Sequence, residues 1–124
     1  MDPVANMLTI IKNGYMAKKL EVLVPYSKHK LTIAKILSAQ QFVGLVERSG
    51  NIIKIELAYE NRKPKIHDIK KVSKPGLRIY IKSKNVKKIK GGSGLLIIST
   101  PYGVMSGDDA KVKKLGGEVI CKVW

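Results

Sequence analysis

The feature that most constrains the fold is an apolar run near the C-terminal end, Leu95-Leu96-Ile97-Ile98. Four consecutive apolar residues between a glycine-rich segment and a polar one are typical of a buried strand. The run leads directly into Ser99-Thr100-Pro101-Tyr102-Gly103, which we predict to be a small polar loop. Such a loop at the end of a buried strand presents hydrogen-bonding groups from a fixed base.

The chain is strongly basic, with 24 Lys and Arg against 9 Asp and Glu and a formal net charge of +15. Twelve of the 24 lie between Arg62 and Lys90, where Asp68 is the only acidic residue. A single charge run is usually a solvated face, but this excess is larger than solubility requires. We expect a polyanionic partner, and nucleic acid before an acidic membrane, because no segment has the face of an interfacial anchor.

The length of 124 residues allows one domain or two very small ones, and 44% hydrophobic residues is a folding composition. The single cysteine, Cys121, excludes a disulfide framework and alternates with Val119 and Val123, which favours a place in the core. The sequence has no apolar run of membrane-spanning length and no signal-peptide pattern after Met1. We therefore expect a soluble protein.

The N-terminal half predicts two helices and three strands. Asp2 and Pro3 form a helix start, and Asn13-Gly14 is read as its stop. The other predicted elements are a strand at 21–24, a helix from Ser27 to Gln41 with Leu31, Ile33, Ala34 and Leu37 toward the core, and a hairpin of strands 42–47 and 51–59. The polar segment 60–64 is the predicted linker, so we place two subdomains at 1–62 and 63–124.

The second half reads as strands with one helix. Strands are predicted near 66–73, 77–82, 95–98 and 118–123, with a type II turn at 74–76, a helical turn at 85–90, a flexible bend at 91–94 and a helix from 106 to about 115. In the second of these strands Arg78, Tyr80 and Lys82 share one face. The predicted class is α+β, with N-terminal helices on a short sheet and a mostly antiparallel C-terminal sheet with one helix.

Standard catalytic signatures are absent from the sequence. Residues 91–95 lack both the Lys of a phosphate-binding loop and the third glycine of a dinucleotide fingerprint. Ser99 has no evident base, because the two histidines are His29, on the second helix, and His67, whose neighbour Asp68 faces the other way. One cysteine and two distant histidines make no standard zinc site. We predict that the protein is not an enzyme and uses no metal or cofactor.

The hydroxyls of Ser99 and Thr100 then have two possible roles. They either cap the backbone of their own turn or act as ligands for a partner. The residues from Gly91 to Trp124 favour the role as ligands. They resemble the C-terminal half of protein eight of the bacterial small ribosomal subunit. The segments that carry the resemblance there are Gly-Gly-Ser-Gly, Ile-Ile-Ser-Thr-Pro-Tyr-Gly-Val-Met and Gly-Gly-Glu-Val-Ile-Cys-Lys-Val-Trp. Earlier segments, at 2–9, 16–19, 24–28 and 71–80, are also similar to this family.

The resemblance implies two small α+β domains packed together. It also implies a structural constituent of the small subunit that binds an internally bulged helix in the central domain of small-subunit ribosomal RNA and helps assemble it. In the family, the Ser-Thr-x-x-Gly loop enters the RNA minor groove, with the Gly-Gly-Glu turn beside it. By motif position these residues are Ser99, Thr100, Gly103, Gly116, Gly117 and Glu118. Relatives often have a small residue and a lysine where this chain has Pro101 and Tyr102.

Physical chemistry supports such an interface. The minor groove of an RNA helix is wide and shallow and lined with 2′-hydroxyls, so short hydroxyl side chains and backbone N–H groups fit there. Tyr102 can stack on a ribose or an unpaired base, and Glu118 either accepts hydrogen bonds from the RNA or the loop or is merely exposed. Phosphate contacts are predicted for Lys28, Lys30, Arg78 and Lys82, with Tyr80 on the same face.

The expected partners are small-subunit ribosomal RNA, neighbouring small-subunit proteins and, in the alternative reading, a messenger RNA of its own operon. That alternative is a free-standing RNA-binding translational repressor, which family members combine with the ribosomal role. No membrane partner is expected. The predicted location is the ribosome in the cytoplasm, and a plastid ribosome is left open.

Overall fold

The computed structural model describes residues 2–89 and 92–124. The chain divides into two compact units, Met1–His67 and Asp68–Trp124. The division into subdomains 1–62 and 63–124 stays a prediction. The predicted bend at 91–94 and the predicted helical turn at 85–90 each fall partly outside the described residues.

The first helix, α1, spans Pro3–Met16 and begins as predicted. The Asp2 carboxylate accepts hydrogen bonds from the backbone N–H groups of Val4 and Ala5, both at 3.1 Å. The predicted stop at Asn13-Gly14 is wrong, because Gly14 lies inside the helix. A Cβ at Gly14 would lie 2.5 Å from Cγ1 of Val22. This glycine therefore permits close packing of the helix on a strand and does not end it.

The second helix, α2, spans Lys28–Ala39, and the hydroxyl of Ser27 caps it by accepting from the N–H of Lys30 at 3.1 Å. Its buried positions include Ile33, Ala34 and Leu37, as predicted, whereas Leu31 is only half-buried. The helix ends at Ala39, and the next turn is closed by Gln41 with φ +65°.

Both helices lie in the unit that contains a three-stranded antiparallel sheet. Its strands are β1 (Glu21–Pro25), β2 (Val43–Ser49) and β3 (Ile52–Leu57), in the order β1-β3-β2. Alternate residues of β1 and β3 are buried, which gives the sheet one core face and one open face. The hairpin predicted around Ser49-Gly50 is confirmed, since Ser49 pairs with Ile52.

The predicted linker is a second hairpin of the first unit. Strands β4 (Tyr59–Glu60) and β5 (Lys63–Pro64) pair antiparallel around Asn61 and Arg62. These two residues have φ of +52° and +65°, which is the left-handed conformation that both central residues of a type I′ turn adopt. The sequence has no Asn-Gly or Asp-Gly here, so the usual signal for this turn is missing.

The second unit is built on a five-stranded antiparallel sheet. Its strands are β6 (Ile69–Lys71), β7 (Tyr80–Ile81), β8 (Leu95–Thr100), β9 (Gly103–Ser106) and β10 (Gly117–Val123). The order is β6-β10-β8-β9, and β7 also pairs with β10. A 3-10 turn, Ser83–Asn85, and a short helix, α3 (Gly107–Val112), complete the described elements of this unit. The mixed α+β class with antiparallel sheets is confirmed.

One core of this unit packs α3 on the sheet. It consists of Val86, Leu96, Ile98, Ala110 and Val119. The helix begins as predicted, with the Ser106 hydroxyl accepting from the N–H of Asp109 at 3.2 Å. It ends at Val112, three residues before the predicted end.

Two turns differ from the prediction. The Lys74-Pro75-Gly76 turn is closed by mutual backbone hydrogen bonds of 2.9 Å between Lys74 and Leu77. Gly76 has no positive φ, so the predicted type II geometry is wrong; a turn of type I also accepts proline at its second position. The predicted helical turn near 85–90 occurs instead at Ser83–Asn85.

Candidate nucleic-acid interface

The predicted polar loop is the end of a tight hairpin. Ser99 and Thr100 belong to β8, and Thr100 pairs with Gly103, the first residue of β9. Only Pro101 and Tyr102 lie between the strands. The five-residue loop of the prediction is therefore a two-residue turn, and strand β9 was not predicted. We call Pro101, Tyr102 and Gly103 the hairpin tip.

Thr100 closes this hairpin with its own side chain. Its hydroxyl donates to the carbonyl of Gly103 at 2.8 Å and accepts from the backbone N–H of Tyr102 at 3.2 Å. Only 8% of the residue is exposed. The hydroxyl therefore has the capping role, and it fixes the backbone of the hairpin tip.

Ser99 points to the opposite face of the strand, because neighbouring residues of a strand alternate. It is half-buried. Among the residues that the structure describes, its hydroxyl has no hydrogen-bond partner, in contrast to that of Thr100. The two adjacent hydroxyls are thus not equivalent: one is used within the turn and the other is available to a ligand.

This difference predicts unequal effects on folding. Thr100→Val keeps the shape of the side chain but leaves the Tyr102 N–H and the Gly103 carbonyl without this partner. We expect it to lower the free energy of unfolding by about 1 kcal/mol. Ser99→Ala should change it by less than about 0.5 kcal/mol. Urea denaturation followed by circular dichroism measures both, and equal losses would contradict the assignment.

The hairpin tip is open to solvent. Tyr102 is 81% exposed, and a Cβ at Gly103 would meet no atom within 4 Å. Gly103 has φ +122°, a conformation that side chains strain. Glycine is therefore needed at 103 for its backbone angle, and the space beside it is free for a partner.

Four residues form a row across the second sheet. Tyr80 of β7 pairs with Glu118 of β10, Glu118 pairs with Ser99 of β8, and Ser99 pairs with Val104 of β9. Directly paired residues of an antiparallel sheet point to the same face. The structure thus brings three predicted site residues together, although they are distant in sequence.

Glu118 has a partner within the chain. Nη1 of Arg78 donates to Oε2 of Glu118 at 3.0 Å. The arginine is half-exposed and the carboxylate is mostly covered. An ion pair of this kind contributes less than about 1 kcal/mol to stability, but it compensates the one negative charge in the row. It also directs the predicted phosphate ligand Arg78 toward Glu118.

The two glycines before Glu118 allow backbones to approach closely. A Cβ at Gly117 would lie 2.1 Å from the carbonyl oxygen of Ser99, and one at Gly116 would lie 2.6 Å from that of Ile81. Neither glycine has a positive φ. Their role is therefore steric, because they let the start of β10 lie between β7 and β8. This close approach places Glu118 beside Ser99 in the row.

The predicted cations differ in exposure. Lys28 and Lys82 are exposed, at the starts of α2 and of the 3-10 turn. Lys30 is only 6% exposed, so it contributes least of the three to the surface charge. Three exposed lysines after β7 were not named as site residues, although the charge run between 62 and 90 includes them: Lys84, Lys87 and Lys88.

The described residues contain no group of three or more metal-ligating side chains. Cys121 is buried, and this burial raises the pKa of its thiol to about 12, an effect that the charge of Lys71 offsets only in part. The thiol therefore stays protonated at neutral pH. Across residues 2–89 and 92–124, no helix has the length and apolarity to span a membrane.

Known proteins similar to this chain include proteins of the small ribosomal subunit. A sequence model of the family described as ribosomal protein S8 matches residues 2–124. Small ribosomal subunit protein uS8 of Roseiflexus castenholzii is 47% identical in an alignment 128 residues long, gaps included. This alignment covers 99% of this chain and 97% of that protein. The uS8 proteins of Caldanaerobacter subterraneus and Nitratidesulfovibrio vulgaris (strain Miyazaki F) are 45% and 44% identical, with 99% of this chain and at least 97% of each protein covered. The similarity includes both compact units.

Proposed function

Because this chain belongs to the ribosomal protein S8 family, we propose that it is a structural constituent of the small ribosomal subunit that binds small-subunit ribosomal RNA directly. Its target is an internally bulged helix of the central domain, and its binding helps that domain assemble. The relatives that align with this chain over nearly their whole length are called small ribosomal subunit proteins. Their names support this role over that of a free-standing repressor. The protein therefore acts in the ribosome, and its role is not catalytic.

The observation that carries the RNA-binding part is the free hydroxyl of Ser99 beside an exposed hairpin tip. A short donor and acceptor at this place suits the shallow minor groove of an RNA helix. Gly103 adds a backbone that a ribose can approach, and Tyr102 adds an exposed ring. Thr100 acts through the hairpin that it closes.

Glu118 and Arg78 then act as a pair. Since the carboxylate already accepts from Arg78, its charge repels phosphate less than an isolated Glu does. One of its oxygens can accept from a base amino group or a 2′-hydroxyl in the groove. Gly116 and Gly117 allow the close strand packing that places Glu118 next to Ser99.

Affinity comes mainly from lysines. Lys28 and Lys82 are exposed and are proposed as phosphate contacts, with a smaller share from Lys30 and with Tyr80 beside Glu118. Such contacts release counterions and make binding depend on salt, while Ser99 and the hairpin tip fix the position on the RNA.

This division of roles can be measured by filter binding to a central-domain RNA fragment over a range of salt concentrations. Ser99→Ala should weaken binding by about 1 kcal/mol and leave the salt dependence unchanged. Lys82→Ala is the comparison variant, and it should lower the slope of log K against log salt by about 0.7–0.9. Identical behaviour of the two variants would contradict the division, and wild-type binding no tighter than to unrelated RNA would contradict the function.

A further inference from the structure

The open face of the first sheet shares no residue with the candidate RNA interface. Helices cover the other face of this sheet, where Val22, Val24, Ile53 and Ile55 are buried. The strand register places residues of all three strands on the open face: Glu21, Leu23, Pro25, Glu47, Ser49, Ile52, Lys54 and Glu56. We assign Leu45 to it as well, because Leu45 is exposed and its neighbour Gly44 lies against the Glu56 side chain. We use "open face" for this set.

Large apolar side chains are exposed on the open face. Leu23 in β1 is 56% exposed, and Leu45, in the irregular part of β2, is 59% exposed. Ile52 in β3 and Pro25 in β1 are exposed as well and are directly paired. Single exposed apolar residues are ordinary, but several on one sheet surface are typical of a protein contact.

The charge of the open face is opposite to that of the chain. It has three of the nine acidic residues, Glu21, Glu47 and Glu56, and one basic residue, Lys54. Lys54 pairs with Leu23 on one side and Glu47 on the other, and its ammonium lies 3.3 Å from the Glu21 carboxylate. Glu21 and Glu56 face each other directly across β1 and β3, an arrangement that costs stability when no cation lies nearby.

We propose that the open face is a docking surface for a basic protein segment of the small ribosomal subunit, and not for RNA. The proposal rests on the proposed function, since it places the protein in that subunit. The segment has Lys or Arg side chains that meet Glu21, Glu56 and Glu47. It also has apolar side chains, one against Leu23 with the neighbouring pair Pro25 and Ile52, and a second against Leu45. Phosphate groups would face two net negative charges here, from three carboxylates and one ammonium.

The charge pattern also gives this surface a function in selecting partners. The rest of a strongly basic protein attracts RNA without regard to place. An acidic and apolar surface repels RNA locally and attracts cationic side chains. It therefore contributes to specificity both by attraction of the basic protein and by repulsion of RNA. RNA and a basic protein are then bound by different residues of the chain.

The test uses subunits reconstituted from small-subunit RNA, the other subunit proteins and this chain carrying a photoreactive phenylalanine derivative. In one protein the derivative replaces Leu45, and in a second it replaces Tyr102. After irradiation, position 45 should give adducts with a subunit protein and few with RNA, whereas position 102 should give RNA adducts. Mass spectrometry identifies the protein and the cross-linked peptide.

Each combination of outcomes has a meaning. RNA adducts from 45, or no adducts from 45 while 102 yields RNA adducts, overturn the docking surface and leave the proposed function standing. Protein adducts from 45 without RNA adducts from 102 support the docking surface and count against the RNA contact of the hairpin tip. A cross-linked peptide without Lys or Arg overturns the basic chemistry of the segment.

A matched pair of charge reversals tests the electrostatic argument. Glu47→Lys on the open face should lower the yield of protein adducts from position 45 by about fivefold. Glu60→Lys makes the same change of net charge in β4, outside the open face, and should leave the yield unchanged. Equal yields for the two variants overturn the role of the carboxylates, and circular dichroism shows whether both are folded.

Discussion

Gly117→Ala should lower the free energy of unfolding by about 2–3 kcal/mol. The added methyl group would lie 2.1 Å from the carbonyl oxygen of Ser99, which is backbone of the neighbouring strand. No side chain can rotate away to relieve this contact, so β8 and β10 must separate at the row that contains Ser99 and Glu118. The variant should therefore also lose RNA affinity, by more than Ser99→Ala does.

Gly76→Ala is the control for this prediction. Gly76 is also in the second unit, has no positive φ, and a Cβ there would meet no atom within 4 Å. We expect it to change stability by no more than about 0.5 kcal/mol. Urea denaturation compares both variants with the wild type. Equal stability of Gly117→Ala and Gly76→Ala would show that β10 does not lie as close to β8 as described.

Tyr102→Ala should weaken binding to the central-domain RNA fragment by about 1–3 kcal/mol, the range found for stacking of a base on an aromatic side chain. The ring is exposed at the hairpin tip and contributes little to the core. Stability and the salt dependence of binding should therefore stay at their wild-type values. The same binding titration measures affinity and slope together.

Tyr102→Phe separates stacking from hydrogen bonding. It keeps the ring and should retain affinity to within about 0.5 kcal/mol if the ring stacks. A loss as large as that of Tyr102→Ala would assign the contact to the phenolic hydroxyl instead. If Tyr102→Ala binds as tightly as the wild type, the tip does not contact this RNA.

The sequence was most informative where a local pattern alone sets the structure. The apolar run Leu95–Ile98, the caps Asp2 and Ser27 and the hairpin after Ser49 all occur as predicted. Each depends on hydrophobic spacing or on one capping side chain, and both are readable within a few residues.

The end of α1 differs from the prediction because Asn13-Gly14 has the pattern of a stop signal, whereas Gly14 lies inside the helix. Each of the three helices in the described residues is followed by a left-handed residue that is not glycine: Lys18, Gln41 and Lys114. At the end of α3, the N–H of Leu115 donates to the carbonyl of Ala110 at 2.8 Å and that of Lys114 to Lys111 at 3.1 Å. This is the Schellman pattern, and the residue at its left-handed position was not recognisable from the sequence.

The candidate site was predicted as a set of residues but not as an arrangement. The sequence named both Ser99 and Thr100, yet their difference depends on where the hairpin turns, since strand alternation sends them to opposite faces. The row that joins Ser99, Glu118 and Tyr80 depends on pairing between strands distant in sequence. Long-range register of this kind has no local signal.

The left-handed lysines have a consequence for how the positive charge of the chain is counted. Lys18 and Lys114 follow the last turns of α1 and α3, where the helix dipole concentrates negative charge. A cation near such an end stabilises its own helix, by about 0.3–1 kcal/mol. The 24 basic residues therefore include some that also stabilise helix ends, so the net charge of the chain is not a count of its proposed phosphate contacts.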